Sequence, residues 1–263
     1  MTNGFGAGAA TDVSNEVLEN KDAADCLLPM GITSENVAQD YKISRQVQDE
    51  FAAKSFQKAA AANKAGKFKA EIIPITTKFI DPKTDKVSEI VVDQDDGIRD
   101  GVTVASLAKL KPAFTKHGST HAGMWILFLH ALSRSDNLFF TGNASQVSDG
   151  AAAVLLTRRS VAKRLGLPII GKYVASAIVG VPPRIMGVGP AYAIPRVLDL
   201  AGLSLDDIDF FEINEAFASQ AVFSVQHLGI PWEKVNINGG AIAIGHPLGC
   251  STYHIFFGIL ERC

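Results

Sequence analysis

Between Ser44 and Gly66 the apolar residues Val47, Phe51, Ala52, Phe56 and Ala59 recur at three- and four-residue spacing, which lays one buried stripe along a helix. Ser44 is placed to cap that helix and Gly66 to follow its end. Thr33 caps a shorter helix through Tyr41, and a short helical piece lies near Val13 to Leu18. Glu71 to Phe79 and Val87 to Asp93 alternate instead, which predicts two short strands joined by the turn Asp81-Pro82-Lys83-Thr84-Asp85.

Beyond residue 150 the pattern changes to short apolar runs separated by helices. Gly150 to Leu156 is a run of strand length, Ser160 to Leu165 a helix ended by Gly166, and Ile169 to Val181 a second buried strand without clean alternation. Gly187 to Gly202 predicts a helix with Pro190 near its start and Pro195 bending it. Leu205 to Ile213 follows as strand, and Asn214 then caps a helix through Gln226 with Phe217, Ala221, Val222 and Val225 inward. Ile242 and Ile244 alternate with small residues as one more strand, and Gly245-His246-Pro247 turns into a helix with Pro247 at its first position. The order strand, helix, strand, helix predicts an α/β fold with a parallel sheet.

Composition agrees with a globular chain: 263 residues with 47% hydrophobic content support a buried core. A net charge of -2 points neither to nucleic acid nor to an anionic membrane surface. Cys26, Cys250 and Cys263 lack metal-ligand spacing and are odd in number, so neither a metal site nor a disulfide framework is expected, and the compartment is expected to be intracellular. The first residues carry no basic stretch or apolar core, the last three are not a Ser-Lys-Leu-type address, and no run approaches transmembrane length, so no targeting signal is expected in this chain.

On this reading Asn214 and His246 both stand at strand-to-helix turns, at the carboxyl edge of the sheet where α/β proteins bind ligands. A helix N-terminus disfavours an imidazolium, so His246 is expected to stay neutral and free to accept a proton. Plain capping is the simpler reading for each residue. Cys250, four residues past His246, invites a cysteine-histidine dyad, but a free cysteine there is expected to pack inward. The lysines Lys54, Lys58, Lys64, Lys67 and Lys69 read as a solvated face, with the phosphates of a nucleotide-bearing ligand as the alternative.

Three stretches occur in an order that resembles the thiolase family: Gly142-Asn143-Ala144-Ser145-Gln146-Val147-Ser148-Asp149-Gly150, Asn214-Glu215-Ala216-Phe217-Ala218, and Asn238-Gly239-Gly240-Ala241-Ile242-Ala243-Ile244-Gly245-His246-Pro247-Leu248-Gly249-Cys250. The match from Asp25 to Gly31 is similar to the family's peroxisomal 3-ketoacyl-CoA thiolases. The resemblance implies an acyltransferase of fatty acid β-oxidation that uses CoA as a substrate, with no other cofactor. It implies that His246 activates a nucleophilic cysteine and lines an oxyanion hole, that Asn214 holds a water in that hole, and that Phe217 borders the acyl pocket. Ser145 would lie against the pantetheine arm, and Met30 and Gly245 beside the substrate, although a methionine is by default a gap-filling core residue. It also implies homodimers and a peroxisomal location.

The resemblance divides the chain into a loop-domain region at 1–123, an atypical insertion at 124–141, the last part of an N-terminal domain at 142–166, a partial C-terminal domain at 167–250 and a divergent tail at 251–263. The expected fold is thiolase-like α/β but incomplete: a loop domain plus partial parallel or mixed sheets with covering helices. The family's two catalytic cysteines belong to Cys-Ser-Ser/Ala-Gly and Cys-x-Gly-x-Gly motifs, and neither occurs in this sequence. The expectation is therefore a chain without turnover, in which the loss of sheet strands also argues against the family's dimer. A non-catalytic protein that binds CoA or a partner is the alternative. Met124 to Thr141 is aromatic and apolar and reads as translated intron sequence, with a genuine inserted element as the other reading.

Overall fold

The computed structural model describes residues 13–81, 84–121 and 142–251. The proposed insertion at 124–141 and the tail from 252 lie outside the described residues. Two short helices, α1 (Asn15–Glu19) and α2 (Lys21–Asp25), lead into α3 (Met30–Asp40) and the long α4 (Arg45–Lys64). Ser44 caps α4 by accepting from Val47 N, and Gly66 beyond its end has φ +72°, which a residue with a Cβ adopts at a cost. Phe51, Ala52, Phe56 and Ala59 are buried along it, as the spacing predicts. Thr33 does not cap α3. The helix begins three residues earlier, after Pro29, and the Thr33 hydroxyl donates to Met30 O at 2.7 Å inside the first turn.

The core is helical. Val37 of α3, the stripe of α4, Leu107 of the short α5 (Val104–Leu107) and Val188 of the 3-10 turn Pro183–Val188 meet Ala218, Ala221 and Val222. Those last three belong to the helix Ala218–Leu228, which is α8 once α6 (Arg159–Leu165) and α7 (Gly189–Ala201) are counted. Full burial of a side chain such as Phe56 contributes roughly 1.5–3 kcal/mol. Gly166 and Gly202 end α6 and α7 in the left-handed region, and Pro195 sits inside α7.

The sheet among the described residues is one antiparallel hairpin, β1 (Ile75–Ile80) with β2 (Val87–Val92), in the register Ile75 to Val92 and Ile80 to Val87. The parallel strands expected at 150–156 and 169–181 run without a ladder and are largely exposed, with Leu155 at 78% and Ile178 at 97% of their accessible surface. A strand needs a neighbour to take its backbone groups, and none of the described residues pairs with these. Leu205 to Ile213 contributes a single parallel bridge, Phe211 with Val235.

Two further corrections bear on the site. Ala241–Ile244 is not a strand but a four-residue helix, α9, closed by Gly245 N donating to Ala241 O at 3.0 Å. Asn214 does not cap α8, which starts after Phe217. No helix among the described residues is long and apolar enough to cross a membrane.

Candidate active site

The segment that carries Asn214 is fixed by Asn236. Its side chain accepts from Ile213 N at 2.8 Å and donates to Ile213 O at 2.9 Å and to Glu215 Oε1 at 2.7 Å. Glu215, 1% exposed, also accepts from Ser55 Oγ at 2.6 Å and from Ile242 N at 3.2 Å, so it satisfies a first-turn amide of α9. Burial outweighs these hydrogen bonds and holds its carboxyl above the usual carboxylate range. A Cβ at Gly240 would come within 2.3 Å of that carboxylate, so the close approach requires glycine.

With α9 held from below, Gly245 turns the chain at φ +100°, where a Cβ would also strike Ser148 Oγ at 2.3 Å. His246 follows, its amide donating to Gln146 O at 3.0 Å. Its ring lies between two polar groups. Nε2 is 3.3 Å from Asn214 Nδ2, and Nδ1 is hydrogen-bonded to Ser251 Oγ, which itself donates to Pro247 O at 3.0 Å. Because the Ser251 proton goes to Pro247, Ser251 accepts from Nδ1–H. That tautomer leaves the Nε2 lone pair facing Asn214. Burial pushes the His246 pKa down, so desolvation favours the neutral ring.

A small open cleft lies beside the pair, lined by Asn214, Gly240, Ile244, Gly245 and Ser251. Ser145 is tied to the same strip, its amide donating to Ala216 O at 2.9 Å, and Ala144 bridges Phe217. Phe217 meets Phe114 edge-on at 6.3 Å, and Gly31 lies against the same Phe114 ring. Met30 stands next to Gly31 but is 44% exposed, so it is not the core filler its type suggests. Lys58 donates to Val235 O at 2.7 Å and Lys64 pairs with Asp100 at 3.0 Å.

The structure thus brings His246, Asn214 and Gly245 together, sets Ser145 and Phe217 along the adjoining strip and leaves Met30 outside the cleft. Cys250 is buried, with its thiol pushed up by burial, and does not partner His246. Ser251, read from the sequence as the start of a divergent tail, is part of the site. Gln146, Glu215 and Ser251 were missed as contributors. Each lies in or beside a recognisable motif, but none has a pattern that assigns it a partner. No group of three or more metal-ligating side chains occurs among the described residues.

Comparison with known proteins identifies the family. The thiolase N-terminal domain model matches residues 1–125 and the thiolase C-terminal domain model matches residues 167–263. The peroxisomal 3-ketoacyl-CoA thiolase of Yarrowia lipolytica is 55% identical over 262 residues, all of this chain and 58% of its own length. The human peroxisomal 3-ketoacyl-CoA thiolase is 55% identical over 244 residues, covering 93% of this chain and 53% of that protein. The dimeric peroxisomal thiolase of Saccharomyces cerevisiae superposes with a TM-score of 0.81 at 50% identity, over 95% of this chain and 57% of that one. Human mitochondrial 3-ketoacyl-CoA thiolase gives 0.74 at 38% identity, over 89% of this chain and 53% of that one. This chain therefore spans a little over half the length of the relatives it matches, and its fold is the corresponding part of their α/β architecture. With both domain models matched in order, the chain belongs to the thiolase family.

Proposed function

We propose that this chain carries the carbonyl-binding and proton-accepting part of a thiolase-type acyltransferase site for 3-ketoacyl-CoA, of the peroxisomal β-oxidation kind. We further propose that these 263 residues by themselves bind CoA thioesters without turning them over. The observation that carries the reading is the neutral His246 ring, held by Ser251 with its Nε2 lone pair 3.3 Å from Asn214 Nδ2 at the mouth of a cleft.

In thiolysis a cysteine thiolate adds to the ketone carbon. The carbon–carbon bond then breaks, its electron pair leaves as the acetyl-CoA enolate, and a second thiol protonates that enolate. The acyl thioester finally passes to CoA. His246 Nε2 takes the thiol proton, while Asn214 supplies a donor toward the carbonyl oxygen as negative charge develops there. Phe217 borders the acyl chain, Ser145 the pantetheine arm, and Gly245 lets the thioester approach His246 closely. The attacking thiolate must stand at His246, and of the described cysteines Cys26 is exposed while Cys250 is buried with its thiol pushed up, and neither is a hydrogen-bond partner of the ring. That arrangement supports binding without turnover.

Isothermal titration with CoA, and with acetoacetyl-CoA, tests the binding half. A thiolysis assay with the same thioester tests the other. Absence of any CoA binding overturns the first statement, and turnover near a typical enzyme's ~10 per second overturns the second.

A further inference from the structure

We propose that Gln146 is the positioning residue for His246. This rests on the reading of His246 as the proton acceptor. The Gln146 side chain shares the two N–H protons of Nε2 among three carbonyls, Gly97 O at 3.1 Å, Ile242 O at 3.0 Å and Ala243 O at 3.2 Å. Its main-chain oxygen accepts from His246 N at 3.0 Å. One residue therefore grips the chain on both sides of Gly245, the position with φ +100°. Before the hinge it takes the carbonyls that a helix end leaves without intrahelical partners. After the hinge it takes the His246 amide.

The grip is specific to an amide. Three acceptors converge on Nε2, which a carboxylate has no proton to serve and a thioether cannot bond. There is no slack around it: a Cβ at Gly97 would meet Ala243 O at 2.8 Å and the Gln146 amide at 2.9 Å. Without that grip Gly245 is free to rotate, since glycine populates many backbone conformations. His246 then leaves the place where Nδ1 reaches Ser251 and Nε2 reaches Asn214.

The test uses the whole 263-residue chain with its six histidines labelled at the ring nitrogens, His246 being identified by the signals lost in His246→Gln. His121, whose buried ring is held by Asp49 at 2.8 Å, serves as an internal reference. Gln146→Met, which keeps the side-chain length, and Gly97→Ala, which displaces the amide from the other side, are each expected to convert His246 from a single Nδ1–H tautomer to a mixture. His121 should stay unchanged. An unmoved His246 in either folded variant, joint movement of His121 and His246, or unfolding of both variants overturns the proposal. The last two outcomes would make Gln146 a general stabiliser. No CoA enters the measurement, so it fails or succeeds independently of the titration that tests the proposed function.

Discussion

His121 and Asn143 are hydrogen-bonded to each other across a separation of 22 residues: His121 N donates to the Asn143 side chain at 2.9 Å, and Asn143 N donates to His121 O at 3.2 Å and approaches Nδ1 at 3.3 Å. The chain thus leaves and returns at one closed point. Asp49 reinforces it, accepting from Asn143 Nδ2 at 3.0 Å while pairing with His121 and with Arg45.

A closed neck predicts that the segment between can be removed. Deleting Met124 to Thr141 leaves Ala122, Gly123 and Gly142 to join His121 to Asn143, enough for a turn across residues already in contact. It also removes Trp125-Ile126-Leu127-Phe128-Leu129, a run with high β-propensity, no charge and no proline. The expected outcome is higher solubility and a melting temperature raised by a few degrees, read by scanning fluorimetry. Loss of cooperative unfolding would show that the segment is a structural element.

His121 predicts a pH dependence. Its Nδ1 faces the Asn143 amide, so Nε2 carries the proton to Asp49 and the ring is neutral. Burial accordingly pushes its pKa below 6.5 despite the Asp49 carboxylate. The unfolded state therefore binds more protons. Stability is complete above the unfolded value of about 6.5 and declines as pH falls toward the lower folded value. His121→Gln should narrow the difference in melting temperature between pH 7.5 and pH 5.5. An unchanged difference would remove His121 as the group responsible.

What could be read from the sequence follows from range. The helix α4 was readable because its cap, its stripe and its terminal glycine all lie between Ser44 and Gly66 at local spacings. The hairpin was readable because its turn and both strands adjoin. The runs at 150–156 and 169–181 have strand composition, but a ladder is a property of two segments, and the described residues hold no partner for either. Ala241–Ile244 failed for a different reason: over four residues, alternation and helical spacing cannot be told apart. Asn214 was misjudged as a cap because the helix starts only after Phe217, and its partner His246 lies 32 residues away, beyond the reach of any local pattern.

Glu215 carries a stability prediction. Replacing it by Ala leaves Ser55, Asn236 and Ile242 N with one buried partner fewer each, and every unsatisfied donor costs roughly 1–3 kcal/mol. Denaturant unfolding of Glu215→Ala should show a loss of at least that size, with α9 protected less in amide exchange. Unchanged exchange at Ile242 would mean that α9 is held by its neighbours alone.

The last prediction separates the two partners of His246. Ser251 accepts from Nδ1–H, so it chooses the tautomer; Asn214 covers Nε2 and helps to keep that side of the ring from water. Ser251→Ala should therefore release the tautomer, letting the proton move to Nε2 and donate to the Asn214 amide oxygen, with the ring still buried. Asn214→Ala should leave the Nδ1–H tautomer in place but open the ring to the adjoining cleft. Since desolvation is what holds the His246 pKa down, hydration should bring it back toward 6.5. The linkage has the same sign as at His121: the His246 contribution is complete above the unfolded value and lost as pH falls, so Asn214→Ala should flatten that part of the stability profile. A ring-nitrogen titration of both variants reads tautomer and midpoint together. A midpoint that does not move in Asn214→Ala would mean that the ring is dried from its other side, by the 143–150 loop. Retention of Nδ1–H in Ser251→Ala would pass control of the tautomer from Ser251 to the cleft itself.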